Sequence, residues 1–147
     1  NTADFLFSDV EISLLRNGKK VWTINASESQ FFESSKAIFF QDIQGLVFFQ
    51  NSDNLSFEFT SPLGTYKIRS QFLSMVKTNS ILRVDNDLYL IICDEIDLNA
   101  KTQQIMAYGN VQINSNLMSV NSQAMHADLL NHVITLKDDV EGSINTN

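Results

Sequence analysis

The sequence contains little of what several protein classes need. Its 147 residues include one cysteine and one proline, so neither an internal disulfide nor a zinc site built from several cysteines can form. The longest uninterrupted apolar run, residues 88–93, is far shorter than the roughly 20 residues of a membrane-spanning helix. Ten Lys and Arg against 17 Asp and Glu give a net charge of −7. This balance argues against a nucleic-acid partner and against docking on anionic lipid head groups by bulk charge.

The chain also begins without an initiator methionine and without a basic and apolar signal region. We therefore expect an N-terminal anchor or a cleaved signal in a preceding segment, and the sequence leaves these two possibilities open. A length of 147 residues suits one domain. We predict a single domain over residues 1–147, with residues 1–9 flexible.

Alternation of apolar and polar residues is the main pattern that is present. Val10, Ile12 and Leu14 alternate before Asn17-Gly18, and a second alternating run begins at Trp22. Asn-Gly between two such runs is a strong signal for a β-hairpin, because a type I′ turn needs positive φ at both central residues. No window carries a long capped helical stripe; the best helical candidate, residues 119–130, contains Ser, Asn and His. The sequence therefore predicts a nearly all-β protein.

Four segments repeat this alternation at intervals of about 30 residues. They begin at Trp22, Phe57, Tyr89 and Met118. Each has two apolar residues two positions apart, then a small residue, and then a slip of one position before the alternation resumes. Such a slip indicates a bulge or bend. Seven residues after each segment a second strand begins, at Ile38, Leu73, Ile105 and Ile134. Each repeat is thus predicted to be a bent strand, a turn and a returning strand.

Several polar groups could suggest chemistry, but their spacing does not favour it. Asp94, Glu95 and Asp97 could form a carboxylate pair for a hydrolase, yet the repeat places them on the outer face. His126 and Asp128 are also predicted to point outward, with His132 in a turn, which makes a weak metal site. Cys93 takes the small inward position and is expected to be an inert buried thiol. We predict no catalytic residue, no cofactor and no metal.

Two stretches resemble a known family. The run Gly18-Lys-Lys-Val-Trp22-Thr-Ile24-Asn-Ala26 is similar to the opening of the periplasmic LptC proteins of lipopolysaccharide export. The later run Ala107-Tyr-Gly109-Asn110-Val111-Gln-Ile113 resembles the unit shared by LptC, LptA and the OstA-like domain. The resemblance extends over residues 10–144. The Trp-bearing second strand favours LptC over LptA.

The resemblance implies a fold and a non-enzymatic function. The fold would be an open, slightly twisted β-jellyroll of two facing antiparallel sheets, built here from the strand–turn–strand repeats. The protein would take lipopolysaccharide from an inner-membrane ABC transporter and pass it to an LptA-like bridge. It would lie on the periplasmic side of the inner membrane of a Gram-negative bacterium, tethered by an N-terminal helix that precedes this chain. The alternatives are an LptA-like bridge protein, or a structural β-array that pairs with partners without binding lipid.

The inward face of the repeats is the predicted lipid-binding site, since acyl chains bind by burial of apolar surface at ~0.8 kcal/mol per CH₂. The same side chains could instead fill a core. The predicted inward set is Trp22, Ile24, Phe31, Phe57, Phe59, Tyr66, Tyr89, Ile91, Leu98, Met118 and Val120. Partners are expected to pair with the two edge strands. The edge residues are Val10, Ile12 and Leu14 in the first strand, and Val133, Ile134 and Leu136 in the last, predicted over residues 133–140.

Overall fold

The computed structural model describes residues 3–49 and 54–146, and its regular structure is entirely β-strand. No helix that could span a membrane occurs in the described residues. The strands are β1 (Phe5–Arg16), β2 (Lys19–Phe32), β3 (Ala37–Phe48), β4 (Leu55–Lys67), β5 (Phe72–Val84), β6 (Asp87–Asn99), β7 (Gln104–Asn114), β8 (Met118–Asp128), β9 (Val133–Lys137) and β10 (Glu141–Ile144).

These strands form one antiparallel sheet in which β1 to β8 follow chain order. The last edge is shared, because β9 pairs with the C-terminal half of β8 and β10 pairs with its N-terminal half. The predicted all-β architecture, open at both edges, is confirmed. One detail differs: the two facing sheets are halves of one continuous sheet, since each long strand runs through both.

A bend in every long strand separates the two halves. Asp42, in β3, has positive φ and lies opposite Ser27, where the inward alternation of β2 slips by one residue. Asp9, Lys77 and Asn110 have the same conformation in β1, β5 and β7. We call this line the crease, formed by Asp9, Ser27, Asp42, Pro62, Lys77, Asp94, Asn110 and Gln123. Pro62 is tolerated here because a proline without an N–H is accommodated at bulges.

The sheet folds at the crease so that its halves face each other as two layers. Layer one contains the N-terminal half of β2 and layer two its C-terminal half. Trp22 of layer one meets Tyr66 of layer two with ring centroids 4.9 Å apart and planes at 79°, an edge-to-face arrangement that aromatic rings prefer. Ile24, Phe57 and Ile96 are completely buried between the layers. The protein therefore has one apolar interior.

The predicted repeat is present in the strand register. Each segment pairs with the strand that begins seven residues later, as Phe31 with Ile38 and Tyr66 with Leu73. The connecting turns are 33–36, 68–71, 100–103 and 129–132, and their last residues, Lys36, Gln71, Gln103 and His132, all have positive φ. The predicted type I′ hairpin is also present, since Asn17 and Gly18 have φ of 54° and 77°.

Small residues line the inner side of the crease, where the strand ladder is interrupted. Ser61 Oγ donates to the carbonyl of Leu63 at 2.8 Å, and Ser122 Oγ donates to the carbonyl of Ala124 at 3.0 Å. These hydroxyls supply donors to backbone oxygens beside the bend. Cys93 takes the same position in β6 and is buried; burial, reinforced by the charge of Asp94, raises its pKa to about 12.

Two boundary predictions need correction. The last strand was predicted over residues 133–140, but β9 ends at Lys137 because Asp138 and Asp139 both turn to positive φ. Residues 1–9 were predicted to be flexible, whereas residues 5–8 pair with β2. Their pairing brings the ring of Phe5 to 5.9 Å from that of Phe31, so apolar contact extends the strand. Asn1 and Thr2 lie outside the described residues.

Truncating a buried ring should destabilise the protein far more than truncating an exposed one. Phe57→Ala removes a fully buried ring and should lower the free energy of unfolding by about 3–5 kcal/mol. Phe48→Ala is the control, because Phe48 is 39% exposed on the outer face and its loss should cost about 1 kcal/mol or less. Urea denaturation followed by circular dichroism measures both. Equal losses would contradict the assignment of the interior.

The pKa of Cys93 predicts a loss of stability at alkaline pH. The unfolded thiol ionises near its ordinary pKa of 9.0, whereas the folded thiol stays protonated to about pH 12. The unfolded state therefore releases this proton first, and the free energy of unfolding should fall as pH rises from 9 towards 12. Denaturation at several pH values should show a shallower fall for Cys93→Ala. An identical slope in the variant would show that the thiol does not contribute.

Candidate functional site

The eleven side chains predicted to point inward all lie on the inner face of the folded sheet. Seven are buried, namely Trp22, Ile24, Phe57, Phe59, Tyr66, Ile91 and Leu98. The other four, Phe31, Tyr89, Met118 and Val120, are half-buried. Alternation along each strand, corrected for the slip at the crease, is sufficient to explain this placement. The set lies on β2, β4, β6 and β8, and buried residues of the strands between them, such as Phe40, Leu82 and Ile113, complete one apolar surface.

The two layers pack closely, and little space remains between them. One narrow cavity of about 30 Å³ lies between the layers, roughly the volume that one water molecule takes up in the liquid. Its apolar lining includes Trp22, Val47, Leu73, Leu98 and Ile105. The inward residues thus fill a core in this structure, because apolar layers that face each other bury their surface at about 25 cal/mol per Å². An acyl chain could enter only if the layers moved apart.

Arg16 holds the layers together on the side opposite the crease. There the turn at residues 17–18 of layer one faces turns 68–71 and 100–103 of layer two, and we call this line the seam. Arg16 Nη2 donates to Gln71 Oε1 at 2.9 Å and to the carbonyl of Ala100 at 3.4 Å. Sequence reasoning missed these contacts, since no local pattern indicates partners 55 and 84 residues apart.

Arg16 also affects the ionisation of a buried phenol. Burial raises the pKa of Tyr66, and the positive charge of Arg16 partly offsets this rise. Tyr66 in turn contacts Trp22 across the interior. Arg16, Gln71, Tyr66 and Trp22 therefore form one group of contacts between the layers beside the cavity.

The polar clusters considered in the sequence do not converge on a site. Asp94 and Glu95 are exposed on the outer side of the sheet, and Asp94 Oδ2 accepts a hydrogen bond from Asn110 Nδ2 at 2.9 Å. Asp128 accepts from Asn131 Nδ2 at 2.8 Å, and this bond lowers the pKa of the carboxyl. Among the described residues no group of His, Cys, Asp or Glu could hold a metal ion. Asp94 and Asp128 each accept a hydrogen bond from a nearby asparagine instead.

Both edges of the sheet carry the residues predicted for partner contacts. Val10, Ile12 and Leu14 are half-buried on β1, which has a neighbour on one side only. On β9, Leu136 is half-buried while Val133 and Ile134 are exposed at 51% and 43%. An edge strand offers backbone N–H and C=O groups to a further strand. The geometry at either end is compatible with strand addition.

Comparison with solved structures shows that the fold has a known counterpart. LptH from Pseudomonas aeruginosa, described as the LptA homologous periplasmic component of the conserved lipopolysaccharide transport device, matches with a TM-score of 0.68 and 8% identity. The match covers 84% of this chain and 94% of that chain. At this identity the likeness demonstrates the fold alone.

Comparison with curated proteins gave no match. Comparison with protein-family models identifies the family. The family model described as "Lipopolysaccharide-assembly, LptC-related" matches residues 1–145, which is nearly the whole chain. The chain therefore belongs to the LptC-related family of lipopolysaccharide assembly, whose members are non-enzymatic components of lipopolysaccharide transport.

Proposed function

We propose that this protein binds the acyl chains of lipopolysaccharide between its two layers. It would receive the lipid from an inner-membrane ABC transporter and pass it to an LptA-like periplasmic bridge. The observation that carries this proposal is the single apolar interior, which continues across the sheet from strand to strand. It reaches the half-buried residues Leu14 on β1 and Met118 on β8 near its two ends. A lipid could follow such a surface from one edge to the other.

The energetics of acyl burial suit this interior. Each CH₂ removed from water contributes ~0.8 kcal/mol, so several chains can bind without any ion pair. Opening the seam breaks two hydrogen bonds from Arg16 and the packing of Trp22 on Tyr66. The apolar contacts around the cavity are exchanged for contacts with the acyl chain. A net hydrogen bond contributes only about 0.5–1.5 kcal/mol. Acyl burial can therefore offset the free-energy cost of separating the layers at the seam, with the crease as hinge.

The two edges would set the direction of transfer. In the proposed arrangement β1 meets the transporter, and β9 with β10 receives the LptA-like partner by strand addition. Residues 1–147 would act as one domain on the periplasmic side of the inner membrane, tethered by a helix that precedes this chain.

Two observations favour alternative functions for this protein. The likeness to LptH favours an LptA-like bridge that passes lipid between other components. The close packing of Phe57, Ile24 and Ile91 favours a structural array that pairs with partners and binds no lipid. Detection of lipid contact at inward positions would distinguish both lipid-transport functions from the structural array.

Photocrosslinking tests the proposed lipid site. A photoreactive residue at Phe59 or Ile91, both buried between the layers, should label lipopolysaccharide. The same residue at Glu58 or Glu95, on the outer face, should not. The protein would be isolated from cells that make lipopolysaccharide, and the adducts read by gel shift. Equal labelling at inner and outer positions would contradict the proposed site, and no labelling in folded protein would favour the structural array.

Deletion of the C-terminal edge tests the proposed partner surface. A chain ending at Asn131 loses β9 and β10 but keeps the eight strands before them. It should lose capture of an LptA-like partner in a pull-down assay while its circular dichroism remains that of a β-protein. The matched control begins at Asp9 and removes the first four of the twelve residues of β1 at the other edge. Capture that persists without β9 and β10 would refute this assignment.

A further inference from the structure

Arg16 is an unusual neighbour for an apolar cavity. It lines the 30 Å³ cavity together with Trp22, Leu73 and Leu98. It is the only charged residue among the residues that line this cavity. The side chain is half-buried, so its charge is screened less than that of an exposed residue.

No carboxylate neutralises this charge in the described part of the chain. The ion pairs found there join Lys36 to Glu33 and Arg83 to Glu58, although the chain contains 17 acidic residues. Arg16 instead donates to neutral acceptors, the amide oxygen of Gln71 and the carbonyl of Ala100. A guanidinium has five donors, and the hydrogen bonds of Arg16 to the described residues use only Nη2. The group therefore keeps both its charge and free donor capacity.

A cation beside an apolar cavity matches a ligand with an anion beside an apolar chain. We propose that Arg16 is a subsite for the anionic head group of an amphiphile whose acyl chain enters the adjoining cavity. This inference rests on the proposed function and names the part of the lipid that meets the seam. Phosphate is the best-suited group, because Arg binds it through two parallel N–H···O bonds.

Binding at this subsite would also release the seam. Each two-donor face of the guanidinium includes one hydrogen of Nη2, so a phosphate bound through two N–H groups competes with Gln71 Oε1 or the carbonyl of Ala100 for Nη2. These are the contacts by which Arg16 joins layer one to layer two. The phosphate adds the attraction between opposite charges, which the neutral acceptors lack, and this favours the exchange. Head-group recognition and entry of the acyl chain are then coupled through one side chain.

The only tryptophan of the chain, Trp22, lines the same cavity and reports binding by its fluorescence. Dodecyl phosphate is the anionic probe, dodecyl maltoside the neutral probe with the same chain, and inorganic phosphate the anion alone; both amphiphiles are used below their micelle concentrations. Arg16→Gln should weaken the binding of dodecyl phosphate about tenfold or more. It should leave the affinity for dodecyl maltoside within about twofold of the wild-type value. Arg16→Lys should retain part of the affinity, since it keeps the charge. Arg83→Gln, which breaks an exposed ion pair on the outer face, is the control and should change neither.

The outcomes separate the subsite from the proposed function. If the wild-type protein binds neither amphiphile, the proposed function fails and the subsite with it. If the wild-type protein binds both amphiphiles but Arg16→Gln weakens their binding equally or not at all, the subsite alone is refuted. If inorganic phosphate binds as tightly as dodecyl phosphate, the site binds free anions, and the proposal that its ligand is an amphiphile is refuted.

A second variant keeps the inference testable if Arg16→Gln does not fold. Gln71→Ala removes the acceptor that competes with the phosphate for Arg16. It should bind dodecyl phosphate at least as tightly as the wild-type protein, whereas a purely structural role of the Arg16–Gln71 contact predicts weaker binding. Weaker binding by Gln71→Ala would therefore overturn the coupling between head group and seam.

Discussion

The change of buried face halfway along β2 to β6 and β8 is the constraint on which the structure depends. In β7 the alternation continues unbroken, and register shifts against β6 and β8 mark the crease. At the crease the alternation slips by one residue, and positive φ at Asp42, Lys77 and Asn110 bends the neighbouring strands at the same level. One sheet thereby supplies two facing layers whose apolar residues meet. Small side chains such as Ser61 and Cys93 line the inner side of this bend. Without the slip, the second half of β2 to β6 and of β8 would turn its apolar face to water.

A sheet folded at one line is joined covalently along the crease and only by side-chain contacts along the seam. This asymmetry connects the fold to lipid transport, the process to which the LptC-related family belongs. Because the interior is closely packed, an acyl chain bound as proposed must replace contacts between the layers. Apolar contacts exchanged for acyl contacts cost little net free energy, because both remove similar surface from water. The directional contacts of Arg16 at the seam are those that a lipid cannot replace with its chains alone.

Much of the fold could be predicted from the sequence because its signals are local. The slip after Ala26, Ser61, Cys93 and Ser122 and the returning strand seven residues later depend only on strand alternation and turn length. The end of β9 was missed because positive φ at Asp138 and Asp139 has no signature in the apolar pattern. The contacts of Arg16 could not be predicted, since they depend on how far the two layers twist past each other. Likewise, alternation identifies which residues face inward but not whether they enclose a trough or pack as a core.

Separation of the layers at the seam is the central claim, and a distance across the seam tests it most directly. Lys19, the strand partner of Arg16, and Lys101, next to Ala100, are exposed on opposite sides. Spin labels at these two positions, in a Cys93→Ala background, give the distance by pulsed electron resonance with and without lipopolysaccharide. A distance that becomes longer with lipid, while a label pair within layer one stays constant, is the predicted result. An unchanged distance at saturating lipid would contradict the account.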